Sequence, residues 1–113
     1  MNLRNFILVA LITFLTACSV KLLTPQQSDV DRVVDKFPNY TLMELKEGKE
    51  IYKDNCSKCH GLKDPQSKTE AEWREIVPKM VARAQKKSIT ITEKEQNAIL
   101  KYLVTMSTAE RKK

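Results

Sequence analysis

Histidine occurs once in these 113 residues, at His60, and cysteine only three times, at Cys18, Cys56 and Cys59. A structural zinc site takes four protein ligands, so this inventory leaves zinc short. No alternating, strand-like run precedes Cys56, which removes the βαβ setting that a thioredoxin-like dithiol requires. Strand patterns, internal repeats and low-complexity stretches are also missing, and the chain reads as all-α. No apolar run reaches the roughly 20 residues that a membrane-spanning helix needs. Between Glu75 and Glu93 there is no acidic residue at all.

What is present is more specific. Cys56-Ser57-Lys58-Cys59-His60 is a C-x-x-C-H motif, the attachment signature of a c-type haem. Two thiols at this spacing can each add to one vinyl group, and the adjacent imidazole is then carried to the iron as proximal axial ligand. At this point the chain resembles the small monohaem class I cytochromes c of bacteria. The resemblance implies one covalent haem c on Cys56 and Cys59, with His60 on the iron. It also implies that the haem is joined only after export.

The N-terminus agrees with export. Arg4 supplies a positive charge, Phe6 to Leu15 form an apolar run broken only by Thr13, and Leu15-Thr16-Ala17-Cys18 closes it with small residues. That closing tetrapeptide resembles the bacterial lipobox, whose cysteine becomes the acylated first residue of the mature protein. Cys18 is then the lipidation site, and the protein is expected on the periplasmic side, anchored to a bacterial membrane. All three cysteines are thereby used, and none is left for a disulfide.

The expected organisation is a signal peptide at 1–17, a tether at 18–40, a cytochrome c domain at 41–107 and a polar tail at 108–113. Within the tether, Pro25-Gln26-Gln27-Ser28 is turn-like, and Phe37-Pro38-Asn39 ends any short helix over 29–36. The segment suits a spacer that lifts the domain off a membrane. Val30, Val33, Val34 and Phe37 suit equally a helix lying against the domain. So small a domain buries a modest core, and a covalent haem would act as the centre around which three to four helices pack.

Three helices are announced by one grammar, a Thr followed three residues later by Glu. Thr41 with Glu44 opens a helix from Leu42 to about Asp54, Thr69 with Glu72 one from Glu70 to Lys87, and Thr92 with Glu95 one from Glu93 to about Met106. Leu45, Gly48 and Tyr52 share a face of the first, and Ile99, Tyr102, Leu103 and Met106 a face of the last. Glycine inside a helix costs up to about 1 kcal/mol against alanine. Its place at Gly48 makes sense if another helix crosses there closely. In the cytochromes that the chain resembles, the first and last helices cross near a glycine and two aromatic rings, and Gly48, Tyr52 and Tyr102 occupy matching places.

With one histidine, two imidazoles from the same chain cannot ligate one iron. Met80 is the candidate sixth ligand. It lies 20 residues after His60, enough for the chain to round a haem edge, and shares an apolar stripe with Trp73, Val77 and Ala84. Trp73-x-x-Ile76-Val77-x-x-Met80 also resembles the ligand helix of small monohaem cytochromes. A core methionine is the competing reading. Pro78 is expected either to kink this helix or to start a second one. Pro65 is either an ordinary turn residue or, as the resemblance implies, the source of a carbonyl for the ligand histidine's free nitrogen.

Lys79, Arg83, Lys86 and Lys87 share one helix face in the stretch without acids. They form a collar for an acidic redox partner, a solvated face, or a contact for anionic lipid. Nucleic acid is not an expected partner of an exported lipoprotein. The expected function is single-electron transfer by a His/Met-ligated carrier, not an enzyme. The alternatives are a haem subunit of a larger oxidoreductase, or a haem sensor or small haem enzyme with an open sixth site.

Overall fold

A computed structural model describes residues 20–56 and 61–111. Those residues form four α-helices and no strand: α1 (Gln27–Arg32), α2 (Leu42–Cys56), α3 (Glu70–Lys86) and α4 (Glu93–Ser107), with a short 3₁₀ turn at Pro65–Ser67. The three expected capping boxes are all made. Thr41, Thr69 and Thr92 each accept a backbone N–H bond from the glutamate three residues on, and that glutamate's carboxylate accepts the threonine's own N–H. Two donors are satisfied at each helix start.

Helix α4 is central and touches the other three helices and the 3₁₀ turn. It crosses α2 at Gly48, where an added Cβ would stand 2.6 Å from the Ala98 carbonyl oxygen and 3.0 Å from the Tyr102 Cβ. Only glycine permits this approach. One turn further along, the Tyr52 and Tyr102 rings pack with centroids 5.6 Å apart. Trp73, Val77, Val81 and Ala84 of α3 are buried with Ile99, Leu103 and Met106 of α4.

Helix α3 continues through Pro78 as one element, so no second helix starts there, and Pro78 itself is exposed. Its end is a Schellman turn. Ser88 takes the left-handed conformation usual for glycine (φ 62°), its N–H bonds Gln85 O, and the Ile89 N–H bonds Ala84 O. The turn sends the chain back toward the core, where Ile91 is buried.

The expected tether is, over its described part, integral to the domain. Leu22 and Leu23 pack against the core, and Val30 and Val33 are buried, while Val34 stays exposed. Asp29 is wholly buried and accepts bonds from Arg32 Nη1 (3.0 Å), Arg111 Nη1 (2.8 Å) and the Gln26 N–H (2.8 Å). Arg32 also donates to Thr105 O at 2.7 Å, and Lys36 pairs with Glu70 at the start of α3. Nor is the expected polar tail free: Ala109 is buried and Arg111 is held by Asp29. Apart from Val34, the hydrophobic residues of 22–37 therefore pack into or against the core, the second of the two courses open to them.

Burial alone would raise the Asp29 carboxyl. The bonds from Arg111, Gln26 and Arg32 outweigh it and hold the group below its ordinary range. A carboxyl with a lowered folded pKa contributes stability that is present above its unfolded value, near 4, and lost as pH falls through the folded value. Asp29→Asn is expected to cost about 3 kcal/mol at neutral pH, the low end for a broken buried pair because both guanidiniums keep solvent contact. Denaturant unfolding of the intact protein checks this. The gap between wild type and variant should close as the medium is acidified below pH 4.

Candidate functional site

The end of α2, the segment leaving the C-x-x-C-H motif and the middle of α3 enclose an apolar cleft of about 590 Å³, counting its open mouth. Tyr52, Asn55 and Cys56 come from α2, and Ile76, Met80 and Arg83 from α3. Ile91 closes one side, delivered there by the Ser88 turn.

Met80 does not sit at the centre of the buried stripe. The core side of α3 is Trp73, Val77, Val81 and Ala84, and Met80 is half-buried beside it. Ile76, Met80 and Arg83 stand at i, i+4 and i+7, a second line along the helix that faces the cleft. Among the other described methionines, Met43 is 78% exposed on α2 and Met106 is 1% exposed in the core. Met80 is thus the described methionine that shares a cleft with Cys56 of the motif.

Two hydrogen-bonded staples fix the chain after the motif. The Tyr52 hydroxyl donates to Lys63 O at 2.7 Å and accepts the Lys63 N–H at 3.0 Å. Burial raises the Tyr52 phenol, the Lys63 bond offsets part of this, and the result is about 12. The hydroxyl therefore keeps its proton at ordinary pH and both bonds persist. The Trp73 indole N–H donates to Pro65 O at 2.9 Å in a buried setting. The carbonyl that the resemblance would offer to a ligand histidine is thus engaged by Trp73.

Cys59, His60 and Cys18 lie outside the described residues, so the structure neither joins nor separates them. Lys79, Arg83 and Lys86 are exposed on α3 and Lys87 is exposed at its C-cap, with Lys79 paired to Glu75 at 3.0 Å. Only Arg83 of the four lines the cleft. Tyr52 and Asn55 were not legible as cleft residues, although their place on the turn before Cys56 is the signal that marks them.

An apolar cleft holding a thiol and a thioether, with the cations Lys63 and Arg83 at its rim, suits a large flat apolar group with an anionic edge. Residues 52–113, more than half of the chain, match the dihaem cytochrome c family. The chain belongs to that family and is a haem-binding cytochrome, although the family is a dihaem one where the motif resembled monohaem relatives. No curated protein and no solved structure matches the chain.

Proposed function

We propose that this chain is a membrane-anchored monohaem cytochrome that carries single electrons between extracytoplasmic redox partners. The observation that carries the reading is the meeting of Cys56 and Met80 in one apolar cleft, with Met43 and Met106 placed elsewhere. Cys56 and Cys59 would hold one haem c covalently, and His60 and Met80 would stand as its axial ligands. When bound, a haem supplies an iron that takes up and returns one electron, and His/Met ligation raises its potential.

The chain's own part is to bind, orient and exclude water. The apolar side chains of Ile76, Ile91 and Ala84 line the cleft. The Tyr52–Lys63 and Trp73–Pro65 bonds hold the segment after His60 to the helices on both sides. Lys79, Arg83, Lys86 and Lys87 would steer an acidic partner toward the cleft mouth. Acylated Cys18 would hold the domain on a membrane.

One observation favours a second reading. The family is dihaem, yet this chain contains a single C-x-x-C-H and a single histidine. A second haem would then be held outside these residues, and this domain would work as a haem subunit beside it. Both readings require covalent haem. Protein purified from a host able to attach haem c should retain the group through denaturation and extraction with acidified organic solvent. Its chain mass should exceed that of the polypeptide by one haem. Haem that leaves freely overturns the attachment, and a mass increase of two haems overturns the monohaem assignment.

A further inference from the structure

Two cations and, among the described residues, no carboxylate line the apolar cleft. Lys63 stands on the segment leaving the motif, and Arg83 on α3, three residues after Met80. The remaining polar lining is Tyr52, Asn55 and Cys56. The Tyr52 phenol, raised by burial to about 12, is neutral at ordinary pH, and Cys56 would be a thioether in the loaded protein. Both charges that line the cleft are therefore positive.

Arg83 stands apart from the other described arginines. Arg32 and Arg111 are held by Asp29, and Arg74 by Glu70. All 14 acidic residues of the chain lie in the described segments, and none of them forms an ion pair with Arg83. Its neighbours one turn away on the helix offer none, being Lys79, already paired to Glu75, and Lys87. The planar fork of a guanidinium matches the two oxygens of a carboxylate. A haem carries two propionate carboxylates on one edge, so the group assigned to this cleft brings the partner that the chain does not supply.

Met80 and Arg83 ride on one rigid element. Helix α3 runs unbroken from Glu70 to Lys86, with Val77, Val81 and Ala84 buried around this turn. The two residues are about 4.5 Å apart along its axis. A contact that fixes the haem edge at Arg83 also fixes where Met80 stands relative to the iron. We propose that Arg83 clamps the carboxylate edge of the bound haem to α3 and is thereby a positioning residue for the sixth ligand. The proposal rests on the haem reading above, and it separates Arg83 from Lys79, Lys86 and Lys87, which do not line the cleft.

The test compares the full-length, haem-loaded protein with Arg83→Gln, Arg83→Lys and Lys86→Gln. A cation close by lowers a carboxyl by about 1–3 pH units, and solvent at the cleft mouth puts Arg83 at the low end. An ionised carboxylate favours ferric iron, so the potential falls as pH rises through the carboxyl's titration. In Arg83→Gln that fall should move up by about one pH unit. Arg83→Lys should recover most of the wild-type profile, and Lys86→Gln should keep all of it. With Met80 less firmly placed, carbon monoxide uptake by reduced Arg83→Gln at a fixed exposure should rise at least threefold over wild type. Wild type without covalent haem overturns the proposed function and this inference with it. A wild type that carries haem and the sulfur-to-iron band, beside an Arg83→Gln protein of unchanged profile, overturns the clamp alone. A shifted profile with unchanged carbon monoxide uptake overturns the positioning role. The same shift in Lys86→Gln, or no recovery in Arg83→Lys, overturns the assignment to the Arg83 charge.

Discussion

Met80→Ala should leave a folded, haem-bearing protein that has lost the sulfur-to-iron charge-transfer band of its oxidised form. Met80 is half-buried at the cleft wall and not in the close-packed stripe, so removing it opens no sealed core cavity. The reduced variant should bind carbon monoxide. Axial ligands tune haem potentials over about 0.8 V, and loss of the methionine is expected to lower the potential by on the order of 0.1 V or more. Met43→Ala should change none of these, because Met43 lies 78% exposed away from the cleft. Met106→Ala should cost stability, about 2–5 kcal/mol for a core methionine, while the band remains. Optical titration of the three variants checks the set. A Met80 variant that keeps its band, beside a Met106 variant that loses it, would reassign the ligand.

Gly48→Val is expected to be the most damaging single change to the fold. The alanine Cβ alone would meet a backbone oxygen at 2.6 Å, and a backbone cannot rotate away as a side chain does. Overpacking of this kind costs about 1–3 kcal/mol, and the branched valine should reach or pass the upper end. Gly48→Ala recovers up to about 1 kcal/mol in helix propensity and should be milder. Chemical denaturation of the haem-loaded variants measures both. A Gly48→Val protein as stable as wild type would mean that α2 and α4 do not cross closely at this position. Tyr102, whose Cβ meets Gly48 and whose ring packs on Tyr52, would then lose its place at the contact.

Much of this was legible because it is local. Each capping box is a bond pair within three residues, so Thr41, Thr69 and Thr92 could be read as helix starts without any knowledge of the fold. Gly48 was legible for another reason: a glycine inside an otherwise regular helix has a cost that a close crossing explains. The placement of Met80 was read only approximately. Spacing put it on the stripe of Trp73 and Val77, whereas the buried stripe runs through Trp73, Val77, Val81 and Ala84 and leaves Met80 half-buried on the flank with Ile76. For a residue that must face a cleft, the flank is the more useful position.

What was not legible is non-local. Asp29 and Arg111 stand 82 residues apart, and nothing in a solvated-looking charge or a basic tail announces that one will be buried against the other. The tether was undecided for the same reason, since Val30 and Val33 suit a loose helix or a docked one until the surface beneath them is known. Ser88 gave no signal either, because left-handed helix ends are usually marked by glycine and this chain has only two. The family relationship also went beyond the motif. One C-x-x-C-H resembled monohaem proteins, while the match over 52–113 is to a dihaem family.

The most direct measurement of the central claim is the absorption spectrum of the unmodified protein, oxidised and reduced, with and without carbon monoxide. A carrier with His60 and Met80 on one iron should show the sulfur-to-iron band when oxidised and a reduced spectrum that carbon monoxide leaves unchanged. A reduced protein that takes up carbon monoxide readily, with no such band in the oxidised form, would contradict the account and point to an open sixth site.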